Sequence, residues 1–120
     1  MKIAVSSEGK DLDSNVDPRF GRAKYFIIYD TETDEYSAVD NEQNLQAAQG
    51  AGIQAAQNVV GYKVEVAVSG NFGPKAFRTL SAAGIKAATW SEGSIREAVK
   101  MVKENRLKFA DSANVEGHWS

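Results

Sequence analysis

Apolar residues fall in short β-like runs through the first third of the chain and at helical spacing through most of the rest. Residues 2–6 form a short apolar run that suits a central strand. Tyr25-Phe26-Ile27-Ile28-Tyr29-Asp30 reads as a second strand. Residues 31–34 turn the chain and residues 35–40 supply the partner strand of a hairpin. Alternation around Val64, Val66 and Val68 marks a buried strand over residues 63–69, and residues 85–89 form another. Three helical patterns lie among these. Residues 51–60 are Ala-rich, with Ile53, Ala56 and Val60 on one face and Gly61 suited to the C′ position. Pro74 opens the second helix, where its missing N–H costs nothing; Phe77 and Leu80 line it, and Gly84 ends it. Ser94 and Glu97 form a capping box ahead of Ile95, Ala98, Val99 and Val102.

The order is βββαβαβα. Strand–helix alternation in the second half makes those strands parallel, and the early hairpin adds antiparallel pairing. The expectation is a mixed five-stranded sheet with helices on both faces, a ribonuclease-H-like three-layer α/β/α arrangement. At 120 residues the chain has room for one core. Residues 1–107 are assigned to that single domain and residues 108–120 to a polar, flexible C-terminal tail.

Composition narrows the chemistry. Without cysteine, neither disulfides nor thiolate metal ligands are available. The start, Met1-Lys2-Ile3-Ala4-Val5, turns polar at Ser6, too short for a signal peptide. No apolar run suits a membrane span, so a cytoplasmic address and no membrane partner are expected. The formal net charge is −2 and the basic residues are scattered, so nucleic acid is not an expected partner.

Five places carry candidate chemistry. Gly70-Asn71-Phe72-Gly73-Pro74-Lys75 joins a parallel strand to a helix N-terminus, where backbone N–H groups and the helix dipole favour an anion. The plain alternative is a tight βα turn. Asp17-Pro18-Arg19-Phe20-Gly21-Arg22 places two arginines around an aromatic and a glycine at the end of the long loop over residues 7–22. The plain alternative is an arginine paired with Asp11, Asp13 or Asp17. If the first two strands are neighbours, this loop, Ser6 and Gly70 share one sheet end. Gly50-Ala51-Gly52-Ile53-Gln54-Ala55 matches a dinucleotide fingerprint on paper, but it does not follow the first strand of a βαβ unit. A mobile glycine-rich lip or close helix packing, with Gly50 and Gly52 at the ligand, is the preferred reading. Asp11, Asp13 and Asp17 would serve a metal-dependent nuclease, but they sit in a turn-rich loop, which favours solvated acids. His118, the sole histidine, is a metal-ligand candidate near the C-terminus; alone it cannot complete a nucleophilic triad, which argues against an enzyme.

Residues 1–5, Leu12-Asp13-Ser14, Val16-Asp17-Pro18-Arg19-Phe20-Gly21-Arg22-Ala23 and Tyr25-Phe26 resemble the dinitrogenase iron–molybdenum cofactor biosynthesis family. So do Gly50-Ala51-Gly52-Ile53-Gln54-Ala55-Ala56-Gln57, Gly70, Gly73-Pro74, Ala76, Leu80 and Gly84-Ile85-Lys86. The chain resembles the small stand-alone members. The resemblance implies a ribonuclease-H-like fold and a carrier role for a molybdenum- or iron–sulfur-containing cluster or its precursor. Cofactor-carrying members place a histidine after the helix that follows the Gly-Pro turn; here the neighbourhood reads Gly84-Ile85-Lys86. Outer-sphere binding of an anionic cluster is therefore expected, through backbone N–H groups, Arg19, Arg22 and Lys75, with Ser6, Phe20, Gly21, Asn71, Phe72, Gly73 and Pro74 around it. The alternative is a docking module for cluster-assembly proteins or a P-loop ATPase, with Phe109, His118 and Trp119 as contacts.

Overall fold

The structure, a computed structural model, describes residues 1–41 and 50–110. The elements are β1 (Lys2–Ser7), a 3-10 turn (Phe20–Arg22), β2 (Tyr25–Asp30), β3 (Tyr36–Asp40), α1 (Ala51–Gly61), β4 (Val66–Ser69), α2 (Pro74–Ala82), β5 (Lys86–Thr89) and α3 (Ile95–Lys103). The expected order holds. The sheet runs β3-β2-β1-β4-β5. β2 is antiparallel to both its neighbours, while β1 pairs parallel with β4 and β4 with β5. Four of the five strands therefore point one way, and Ser7, Asp40, Ser69 and Thr89 end at one carboxyl edge.

Side-chain alternation sorts the core into two layers. Ala4, Phe26, Ile28, Ala67 and Ala87 join Ala55, Ala56 and Val59 of α1 and Ala76 and Leu80 of α2. Ile3, Val5, Ile27, Val66, Val68 and Ala88 face Ile95, Ala98 and Val99 of α3, with Val16 from the long loop. Ala4 lies directly beside Ala67 in the parallel ladder. These small side chains let α1 and α2 approach the sheet closely, as the alanine-rich face of α1 also does.

Three local expectations shift. The face of α1 that packs inward carries Gly52, Ala55, Ala56 and Val59; of the expected Ile53, Ala56 and Val60, Ala56 is buried and Val60 packs only partly against the core. The smallest residues go where α1 meets α2 and the 3-10 turn. Gly61 is the last helical residue rather than C′; Lys63, at φ 58°, takes the left-handed turn after it. Gly84 does adopt a positive φ, 78°, as α2 ends. Finally, the segment assigned to a tail begins as a return along β5. Phe109 bridges to Ala88, and the Ala110 N–H donates to the Ala87 carbonyl at 2.7 Å. The open edge of β5 attracts backbone that polarity alone would send into solvent.

The capping box at α3 is complete in both directions. The long loop adds to it: Ile95 N–H donates to Ser14 O, and Arg96 N–H donates to Leu12 O. At the other end of α3, Lys103 and the Tyr29 hydroxyl both donate to Asp34 Oδ1. Lys103 also lies 5.6 Å from the centre of the Tyr29 ring. The cluster holds Asp34 at φ 62°, a left-handed conformation costly for a residue with a Cβ. The hydrogen bond from Lys103, then that from Tyr29, lowers the Asp34 pKa, and the same bond to Asp34 raises that of Lys103. Burial, and then the bond to Asp34, raises the Tyr29 pKa.

The signs define a window. Asp34's contribution is present above its unfolded pKa, about 3.9, and fades as pH falls through the lower folded value. The contributions of Lys103 and Tyr29 are present below about pH 10 and fade as pH rises through their raised folded values. Asp34→Asn is thus expected to melt below the wild type at neutral pH, with the gap closing on acidification below about pH 4. A gap that persists at the acid end would assign the effect to backbone conformation instead of charge.

Candidate functional site

The carboxyl edge is where the fold concentrates its irregular chain. In open α/β sheets, ligands bind beyond this edge where neighbouring connections diverge. Here β1 leads into the long loop, on the α3 side, while β4 leads directly into α2, on the opposite side. The opening between β1 and β4 is filled by the chain itself. The Asp17 carbonyl accepts hydrogen bonds from Ser6 Oγ at 2.7 Å and Ser69 Oγ at 3.3 Å, one from each strand end. The Asp17 N–H donates to Ser6 O at 2.9 Å. Asp17 is thus buried as a plug, and its carboxylate accepts the Arg19 N–H at 2.9 Å, fixing the turn through Pro18.

Above the plug, the loop meets the β4–α2 turn as the shared-edge expectation required. Phe20 N–H donates to Asn71 O at 3.2 Å, and Asn71 Nδ2 donates to Pro18 O at 3.1 Å. Arg19 and Asn71 form a parallel bridge. Gly70 explains how the two layers come so close. A Cβ there would lie 2.9 Å from both Cα and O of Pro18 and 2.7 Å from Ser91 Oγ. The glycine serves close approach, not an unusual φ.

The arginine pair divides its work. The Arg19 side chain is 51% exposed, and its Nε lies 3.9 Å from Asp17 Oδ1. The pairing with Asp17 is the plain alternative read from the sequence, and it leaves the side chain half-exposed. Arg22 closes the 3-10 turn, its N–H donating to Arg19 O at 3.2 Å, and is half-buried. Between them, Phe20 points inward and is 1% exposed. Its ring centre lies 4.9 Å from that of Phe26 and 5.1 Å from that of Phe72.

The aromatic, serine and glycine assignments change accordingly. Phe20 and Phe72 are core residues, and their rings brace the rim from below rather than contacting a ligand. Ser6 is fully buried beneath Asp17, so its hydroxyl positions the loop. Gly21 is buried in the 3-10 turn, and Gly73 is buried at the start of α2. Gly52 faces into the packing of α1, while Gly50, at φ 83°, turns the chain into that helix. Burial decides these cases, and neighbours in sequence carry no sign of it.

Exposed or half-exposed at the rim are Arg19, Arg22, Asn71, Pro74 and Lys75. α1 and α2 both begin at this edge, and their N-cap residues, Gly50 and Gly73, have no side chain with which to cap them. α3 differs, because its first turn is closed by Ser94 and the loop carbonyls. Asn41, buried at the end of β3, ties the edge to the arginine loop, its Nδ2 donating to Ala23 O at 2.7 Å. Cations, helix N-termini and backbone turns converging on one edge suit a negatively charged ligand.

The acidic loop serves the fold instead. Asp11 Oδ1 accepts from Asp13 N–H and Ser14 Oγ, and Asp13 pairs with Arg96 at 3.2 Å. Among the described residues, no three His, Cys, Asp or Glu side chains cluster to hold a metal ion. His118 lies outside the described residues. Nor is any described helix long and apolar enough to cross a membrane.

Fold and edge together define a small α/β domain with a five-stranded mixed sheet and with Arg19, Arg22 and Lys75 near the edge where its parallel strands end. A family model described as dinitrogenase iron–molybdenum cofactor matches residues 1–105, and the chain belongs to that family. The apo form of the orange protein from Desulfovibrio gigas is 40% identical, aligned over 95% of this chain and 96% of that one, with a TM-score of 0.92. A candidate NifB protein from Thermotoga is 39% identical over 95% of this chain and 97% of its own, with a TM-score of 0.82. A candidate dinitrogenase from Methanocaldococcus jannaschii, 16% identical over 93% and 96% of the two chains, shares the fold at a TM-score of 0.69. No curated protein matches the chain.

Proposed function

We propose that this protein is a non-catalytic carrier for an anionic metal–sulfur cluster or its precursor, bound at the carboxyl edge of the sheet. The observation that carries the reading is the joining of the arginine loop to the β4–α2 turn through Phe20, Asn71 and Pro18. That contact brings Arg19 beside the turn that leads into Lys75, while the 3-10 turn with Arg22 packs against α1. Membership of a family named for the iron–molybdenum cofactor supports the choice of cargo, and so does a 40%-identical relative whose structure is described as an apo form.

The residues present suit outer-sphere binding. Guanidinium groups and backbone N–H groups hold a diffuse anion without displacing its own ligands. A cluster delivered intact to an acceptor is well served by such a site, because nothing on the protein must be exchanged. The strand order with β2 antiparallel supports the ribonuclease-H-like description of the fold. That fold carries no nuclease activity with it.

The test is anaerobic titration of the protein with tetrathiomolybdate, with phosphate as control, followed at the Gly21, Gly70 and Gly73 amides. Saturable shifts with the thiometallate are expected. In the Arg19→Ala/Arg22→Ala variant, affinity is expected to fall at least tenfold, about 1.4 kcal/mol or more, for the loss of two charge-assisted contacts. Both side chains are at least partly exposed, so the unfolding midpoint should hardly move. Unchanged affinity in the double variant would remove the arginines from the site.

A further inference from the structure

We infer that Ser91 is a further ligand-binding residue, a hydroxyl donor that forms the β5 side of the anion site. The inference rests on the carrier reading above and adds a wall that neither the arginine loop nor the β4–α2 turn provides. Ser91 lies two residues beyond the end of β5. The Trp90 N–H donates to Ser69 O at 2.8 Å, so the β4–β5 ladder extends one step past the strands, with Trp90 level with Gly70 and Ser91 next along the chain. Trp90 packs into the α3-side core.

Gly70 supplies the second observation. The space its side chain would fill is bounded by Pro18 on one side and Ser91 Oγ on the other. Pro18 immediately precedes Arg19. One missing Cβ therefore lets the arginine loop, the β4–α2 turn and the β5 hydroxyl meet. Ser91 is half-buried, and among the described residues its hydroxyl makes no hydrogen bond. A hydroxyl held by backbone at a cationic rim has a donor to offer. An oxo or sulfido atom of an anion seated against Arg19 and the start of α2 is an acceptor of suitable charge. Oxygen accepts the stronger hydrogen bond, so the hydroxyl tunes the site between oxo and thio ligands.

The experiment compares the wild type with Ser91→Ala in titrations with tetrathiomolybdate and with molybdate, and Arg19→Ala/Arg22→Ala serves as reference. Removing one neutral donor is expected to weaken binding roughly three- to tenfold. The loss should be greater for molybdate, with the melting temperature unchanged. A merely structural serine would weaken both anions alike and lower the melting temperature, which would overturn the assignment. So would wild-type affinity in Ser91→Ala while the arginine variant binds weakly. If the wild type binds neither anion, the carrier reading itself fails and Ser91 falls with it.

Discussion

Phe20→Ala is expected to lose about 3–5 kcal/mol of stability, the usual cost of deleting a buried aromatic ring. Phe20 is 1% exposed and stacks at a tilt against Phe26 and Phe72. Its removal opens a cavity beneath the 3-10 turn that carries Arg22 and follows Arg19. Against a total stability of about 5–15 kcal/mol, such a loss brings a small domain close to unfolding. Equilibrium urea denaturation checks it. Phe20→Leu, which keeps most of the volume, should retain most of the stability and the anion affinity. A loss below about 1 kcal/mol in Phe20→Ala would mean that the ring is not the brace described here.

Gly70→Ala is expected to damage the site more than the fold. The new methyl would stand 2.9 Å from the Pro18 backbone, which cannot swing aside as a flexible side chain can. Separating the layers costs about 1–3 kcal/mol, as overpacking usually does. It also pulls Pro18 away from Asn71 Nδ2, breaking the bond that docks the arginine loop. Amide shifts should therefore spread through residues 17–22 and 70–73, and tetrathiomolybdate binding should collapse. Denaturation and titration of the same sample separate the two effects. Wild-type affinity in Gly70→Ala would sink the argument that close approach assembles the rim.

Much of the fold was legible because its signals are local. The Ser94–Glu97 capping box, Pro74 at the first helical position and Gly84 after α2 each act within one turn of backbone. The hairpin signal of β2 and β3 likewise lies within sixteen residues of chain. The segments that meet at the carboxyl edge were also visible, since Arg19, Arg22 and the Gly70–Lys75 turn stand out by residue type. What failed were statements about which way a residue faces. Phe20 lies between two arginines in sequence, yet its ring turns into the core with Phe26 and Phe72. Ser6 ends a strand among polar neighbours, yet it is sealed beneath Asp17.

The sequence by itself determined the element order, the helix starts, the absence of thiol chemistry and a family likeness centred on the arginine and Gly-Pro segments. Only the tertiary structure decided that Asp17 plugs the opening between β1 and β4, that Gly70 is a gap shared by Pro18 and Ser91, and that Phe109 returns along β5. The reason is physical. Caps, turns and periodicity are settled by neighbours a few residues away, so they are written in the local chain. Burial and close approach are settled by partners as distant as Ser6 and Val68, or Pro18 and Asn71, which become neighbours only when the sheet forms.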